Sequence, residues 1–241
     1  MDATRQLEID LRSRTHGGAR PGAGRPRKQE GRSPHERRPT LSRHTPVHVT
    51  LRVHRDVGRL RRAAGYAAVQ RALAACIGRR DFRIVHISIQ GGHIHLLAEA
   101  NDGRALANGM RAFMISAARH LNAARGRRGA VFSSRYHAVQ LRTPRQMRSA
   151  LAYVLNNWRR HREDDSGLAQ RRAQVDPYST GILFDGWRDA PARFVIPDRY
   201  QPLPVCGARS WLMTVGWREH PLIGLRETPG PVTGRRGTRS A

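Results

Sequence analysis

Two pairs of residues in this sequence are spaced to do chemistry together. His93 and His95 flank Ile94 in the apolar run "HIHLLAEA" (93–100), and Tyr153 stands four residues before Asn157 in "ALAYVLNNWRRH" (150–161). Side chains alternate along a strand, so the two imidazoles share one face, with Cα atoms ~6.6 Å apart, and Ile94 points to the other. Two imidazoles on one face can share one ion. They leave room for a third protein ligand and for substrate oxygens, as a catalytic rather than a closed structural site requires. On a helix, residues four apart are neighbours. Tyr153 and Asn157 would then present a phenol nucleophile and, one turn later, a carboxamide oxygen, a hard donor suited to Mg²⁺ or Mn²⁺. Met147, Leu151, Val154, Leu155 and Trp158 form the apolar face of that helix, and Tyr153 and Asn157 lie off it.

These residues need elements to hold them. In "VHVTLRVH" (47–54) Val47, Val49, Leu51 and Val53 alternate with polar residues, the pattern of a half-buried strand. An Ala-rich helix is predicted over 56–77. Strands are predicted over 82–90 and 93–100, joined through Gly91-Gly92, a two-residue connection suited to a tight hairpin. Leu106, Met110, Phe113, Met114, Ala117 and Leu121 recur at helical spacing, although Gly109 weakens that helix. A fourth strand falls near Tyr136 to Leu141, and a third helix over 144–162 opens with Pro144 after Thr143. The order strand, helix, strand, strand, helix, strand predicts an α+β fold with a ferredoxin-like, split βαβ core: a four-stranded antiparallel sheet with both helices on one face. The third helix is an addition to that core. Beyond it, periodicity is poor, but three of the four tryptophans lie there, which predicts an irregular packed extension.

The formal net charge is +26, with 44 basic residues, of which only Lys28 is a lysine, against 18 acidic ones. Such a chain repels itself unless it works against a polyanion, and nucleic acid is the leading partner. No apolar run approaches the ~18 residues of a membrane span, and the start "MDATRQLEID" does not resemble a signal peptide. A cytoplasmic, nucleoid-associated protein with no membrane partner is expected. Cys76 and Cys206 lack Cys-x-x-Cys partners, so neither a disulfide framework nor a zinc finger is indicated. Residues 1–46 read as a disordered basic arm, rich in Arg, Gly and Pro over 12–46. Within it "AGRPRK" (23–28) is similar to the core of an AT-hook, which would bring Arg25 and Arg27 to a narrow minor groove. The tail from 229 is also expected to be disordered.

"HIHLL" after a strand and turn, followed 58 residues later by "YVLNN" on a helix, resembles the HUH endonucleases with one tyrosine, specifically the IS200-like and REP-associated tyrosine transposases. "RYHAV" (135–139) resembles the segment these proteins carry on the strand before that helix. The resemblance covers residues 47–187 and leaves 188–241, the extension and tail, without chemistry. It implies that Tyr153 is the catalytic nucleophile, that His93, His95 and Asn157 hold a divalent ion, Mg²⁺ or Mn²⁺, and that the substrate is DNA, chiefly single-stranded or hairpin. It implies a strand transfer in which Tyr153 joins the 5′ side of a cut as a phosphotyrosine. Two positions depart from the family: Gly92 stands where Asn is frequent, and "NNWRRH" replaces an Asn-Pro after the tyrosine motif.

Arg111, Arg119, Arg125, Arg127, Arg128, Arg135, Arg159 and Arg160 are candidate phosphate contacts, each weighed against an ordinary solvated face. Tyr66, Tyr136, Tyr178 and Tyr200 are the competing phenols, Tyr136 foremost. His48, His54 and His86 read as ordinary strand histidines. Two other functions stay open: a domesticated, non-catalytic nucleic-acid-binding protein, and a metal-dependent nuclease that uses water. Monomer and homodimer are both open.

Overall fold

The computed structural model describes residues 40–165, 174–189, 194 and 200–227. The AT-hook-like segment with Arg25 and Arg27, and the tail from 229, lie outside them. Strands β1 (Val47–Arg52), β2 (Phe82–Ile89), β3 (His93–Ala100) and β4 (His137–Gln140) alternate with helices α1 (Ala63–Ala74) and α2 (Gly103–Ala124) in the expected order. The sheet runs β2-β3-β1-β4 with every neighbour antiparallel. This is the ferredoxin-like arrangement, and the fold is α+β.

Alternation along the strands sorts the side chains into two layers. Val47, Val49 and Leu51 of β1 and Ile94, Leu96 and Ala98 of β3 face α1 and α2, where they meet Met110, Phe113 and Leu121 of α2. Gly109 belongs to this contact: the Phe82 ring lies where its Cβ would be, so the missing side chain lets α2 approach β2. The opposite face carries Val85 and Leu97, and on it lies α3 (Pro144–Arg160), capped by Thr143 Oγ1, which accepts from the Gln146 N–H.

Two boundaries differ from the sequence reading. The helix expected over 56–77 begins only at Ala63. Gly58 takes a positive φ of 77°, Leu60 donates its N–H to Gly91 O, and Arg61 reaches across to Asp176, so tertiary contacts pull this segment away from the helix axis. Residues 40–46, expected in the arm, are held to the sheet: Leu41 is buried, Pro46 O accepts from Leu141 N–H, and Thr40 O accepts from Gln140 Nε2.

The segment after α3 covers both the helix and the free edge of β2. Val175, Phe184, Trp187, Leu212, Met213, Trp217 and Ile223 pack with Leu151, Val154 and Leu155 of α3, and a four-residue helix, α4 (Trp211–Thr214), contributes Leu212 and Met213 to that group. Along the edge strand, Ile89 N–H donates to Tyr178 O and Cys206 N–H to Ile84 O, leaving less of β2 open to another chain. Arg148 and Arg159 tie the extension to α3 through the carbonyls of Leu222 and Leu225. A buried ion pair sets the return of the chain: the Arg61 side chain, 3% exposed, makes two hydrogen bonds of 2.9 and 2.8 Å to the fully buried Asp176, and its guanidinium lies over the Tyr178 ring. Among the described residues no helix is long and apolar enough to cross a membrane.

His86 is a half-buried histidine on this covered edge. Its Nδ1 lies 3.1 Å from Thr180 Oγ1, and burial, against a smaller opposing pull from Asp185, lowers its pKa to about 4. The fold thus favours neutral His86, whose ordinary pKa is ~6.5. The resulting stabilisation is complete above ~6.5 and is lost as pH falls through that value toward about 4. Thermal unfolding should therefore show a falling midpoint between pH 7 and 4.5, with a shallower slope in His86→Gln, which cannot titrate. An identical slope in the two proteins would contradict this.

Candidate metal and tyrosine site

β3 places His93 and His95 on the α3 side of the sheet, and its neighbours extend the polar patch. Register sets Thr50 opposite His95, Arg52 opposite His93, and Ser88 of β2 opposite His95. His48, two residues before Thr50, joins the same face. From above, α3 adds Tyr153 and Asn157, and His161 follows one further turn along, at the helix end.

The rings interlock. Tyr153 stands edge-on to His95 and to His48, with centroids 5.2 and 5.6 Å away. His93 meets His95 and His161, each at 4.8 Å. Tyr153 thus abuts one histidine of the pair, and His161, two turns later, abuts the other. Asn157 lies on the helix between these two contacts. Tyr153 is partly exposed, whereas Asn157 is 1% and His95 3% exposed.

Three buried polar atoms at this point have no hydrogen-bond partner among the described residues: His95 Nε2 and both Oδ1 and Nδ2 of Asn157. Buried polar groups are normally paired, because leaving one unsatisfied costs about 1–3 kcal/mol. A divalent ion is a partner that suits a neutral imidazole nitrogen and an amide oxygen. Burial keeps these imidazoles neutral: it lowers His93 and His48 to about 4, helped by His161 and Arg52 for the first and by His137 for the second, and it lowers His95 well below 6.5. Their lone pairs are free for coordination without loss of a proton. Among the described residues no group of three His, Cys, Asp or Glu is placed to hold a metal ion. An ion at this place would therefore depend on the Asn157 oxygen beside His93 and His95, whose donor chemistry suits one.

The competing phenols lie elsewhere. Tyr136 packs against the core on the α1 and α2 side, and Tyr66 donates to Gln201 O within a ring cluster with Tyr178 and Tyr200. The candidate arginines divide. Arg127 is clamped to Asp56 and Asn122, Arg159 to Asp164, Gln174 O and Leu225 O, and Arg125 to Arg59 O, so these serve the fold. Arg111 and Arg119 are exposed on α2, which packs on the other side of the sheet from the histidines. Arg128, Arg135 and Arg160 are exposed. Sequence reasoning missed His48, Thr50, Arg52 and His161. The first three carried a signal, since alternation gives β1 one polar face and the ferredoxin-like order makes β1 the neighbour of β3. His161 continues the four-residue spacing from Tyr153 and Asn157.

No family model matches the chain, and no curated protein does. A solved structure described as a REP-associated tyrosine transposase bound to a REP hairpin is similar over 61% of this chain and 82% of its own, at 16% identity and a TM-score of 0.47.

Proposed function

We propose that this chain is a metal-dependent DNA transesterase, a single-strand endonuclease and strand transferase of the transposase kind, with Tyr153 as its nucleophile. The observation that carries this reading is the phenol of Tyr153 set against His95, beside the unpartnered buried atoms of His95 and Asn157. A net charge of +26 supports a polyanionic substrate, and the HUH-like motifs support DNA, chiefly single-stranded or hairpin.

In the proposed reaction Tyr153 Oη attacks the scissile phosphorus, and the bond from phosphorus to the 3′ oxygen breaks. The phenol loses its proton, the departing 3′ oxygen gains one, and the 5′ phosphate stays on Tyr153. Attack by a 3′-OH reverses the step and restores the tyrosine, so a phosphodiester is exchanged without a nucleotide cofactor. His93, His95 and Asn157 would hold Mg²⁺ or Mn²⁺, which supplies positive charge against the phosphoryl oxygens in the transition state. His48 and His95 position the phenol by their edge contacts. Arg52, opposite His93 in the sheet, and Arg160, next to the His161 whose ring meets His93, are both exposed and suited to the DNA backbone.

Incubation with 3′-end-labelled single-stranded hairpin oligonucleotides should yield a labelled protein band that survives SDS, present with Mn²⁺ and absent with EDTA. Tight, salt-sensitive binding without any cleavage across a broad substrate set would favour a binding protein instead. Release of a labelled fragment with a free 5′ phosphate would make water the nucleophile.

A further inference from the structure

Besides its edge contact with Tyr153, His48 makes a direct polar contact with a proposed ligand. Its Nε2 is 3.2 Å from His95 Nδ1, and Thr50 Oγ1 is 3.2 Å from that same nitrogen. The two rings are stacked, with centroids 5.3 Å apart and planes 23° from parallel. Both histidines are buried, and the other nitrogen of His95, Nε2, has no partner among the described residues.

A neutral imidazole carries one N–H, on either nitrogen. If His95 carried it on Nε2, a buried donor would be left without an acceptor, while Nδ1 would be crowded by two groups competing to donate to it. If His95 carries it on Nδ1, the N–H has two acceptors within reach, His48 Nε2 and Thr50 Oγ1, and the Nε2 lone pair is free. An imidazole ligand commonly has its second nitrogen tied in this way, which fixes both tautomer and ring orientation.

We propose that His48, with Thr50, is a positioning residue that accepts the Nδ1–H of His95 and so holds Nε2 of that ring as a ready ligand for a divalent cation. The proposal rests on the reading of His93, His95 and Asn157 as a metal site and adds to it the groups on β1 that prepare it. Sheet register explains why β1 can do this: Thr50 is the cross-strand partner of His95, and His48 is the next residue on the same face.

The first test reads the tautomer in the metal-free wild-type protein. Side-chain nitrogen NMR of metal-free, ¹⁵N-histidine-labelled protein should show His95, assigned by its loss in His95→Asn, as the Nδ1–H tautomer. Finding the Nε2–H tautomer would overturn the proposal. The second test titrates Mn²⁺ into wild type, His48→Phe and His48→Gln, with His93→Ala as the control for the site. His48→Phe keeps an aromatic ring beside Tyr153 but removes the imidazole acceptor, leaving only Thr50 Oγ1, and should weaken Mn²⁺ binding about 10- to 100-fold. His48→Gln restores an acceptor oxygen and should recover most of that loss. Wild-type affinity in His48→Phe, with binding still abolished by His93→Ala, would defeat the positioning role alone. Equal loss in Phe and Gln variants would reduce His48 to packing and defeat it as well. If wild type binds no Mn²⁺ through His93, the metal reading itself falls and takes this inference with it.

Discussion

Tyr153→Phe should abolish the covalent protein–DNA adduct, lowering its rate of formation by roughly 10⁴-fold or more, the scale seen when a nucleophile is removed. The substitution deletes only the phenolic oxygen. The ring remains, with its edge contacts to His95 and His48 at 5.2 and 5.6 Å, so packing of α3 against the sheet should be unchanged. DNA affinity measured by fluorescence anisotropy and Mn²⁺ affinity measured by titration should both stay close to wild type. That combination separates a chemical role from a structural one. If cleavage persists in Tyr153→Phe, water performs the attack and the transesterase account is wrong.

Asn157→Leu is expected to cost activity and leave the fold intact or firmer. Neither polar atom of the Asn157 side chain has a partner among the described residues, although the residue is 1% exposed. Replacing an unsatisfied buried amide by an apolar group of similar size removes a desolvation penalty of about 1–3 kcal/mol. The thermal midpoint of metal-free protein should therefore hold or rise. Adduct formation should fall by roughly 10²- to 10⁴-fold, because the ion would lose its oxygen ligand and several kcal/mol of transition-state stabilisation. A stability gained at the expense of function is expected where polar atoms are kept unpaired for chemistry. A lower midpoint with unchanged activity would instead make Asn157 an ordinary part of the core.

Much of this arrangement could be read from local pattern. The strict alternation of "VHVTLRV", the glycine pair after β2 and the helical spacing from Leu106 to Leu121 each name an element without help from the rest of the chain. Element order then gave the sheet, and the same-face rule brought His93 and His95 together. Tyr153 and Asn157 were legible because they lie off the apolar face of a long amphipathic helix. Features made by tertiary contact were not legible. Arg61 leaves the expected helix to pair with Asp176, 115 residues later, and Leu41 enters the core from a segment otherwise rich in Arg and Pro. The extension after α3 has no period because Trp187 and Trp217 fill gaps in the layer against α3 instead of lining one face of an element, while Trp211 stays exposed. His48 shows the intermediate case. Its face could be read from alternation, but its contact with His95 requires the register of β1 on β3.

The central claim is that Tyr153 carries the DNA. Its most direct measurement is mass spectrometry of the SDS-resistant product after nuclease and protease digestion, locating the nucleotide on the peptide chain. A nucleotide joined through its 5′ phosphate to Tyr153 is the predicted result. A nucleotide on Tyr136 or another residue, or a cleaved DNA end with no peptide attached, would contradict it.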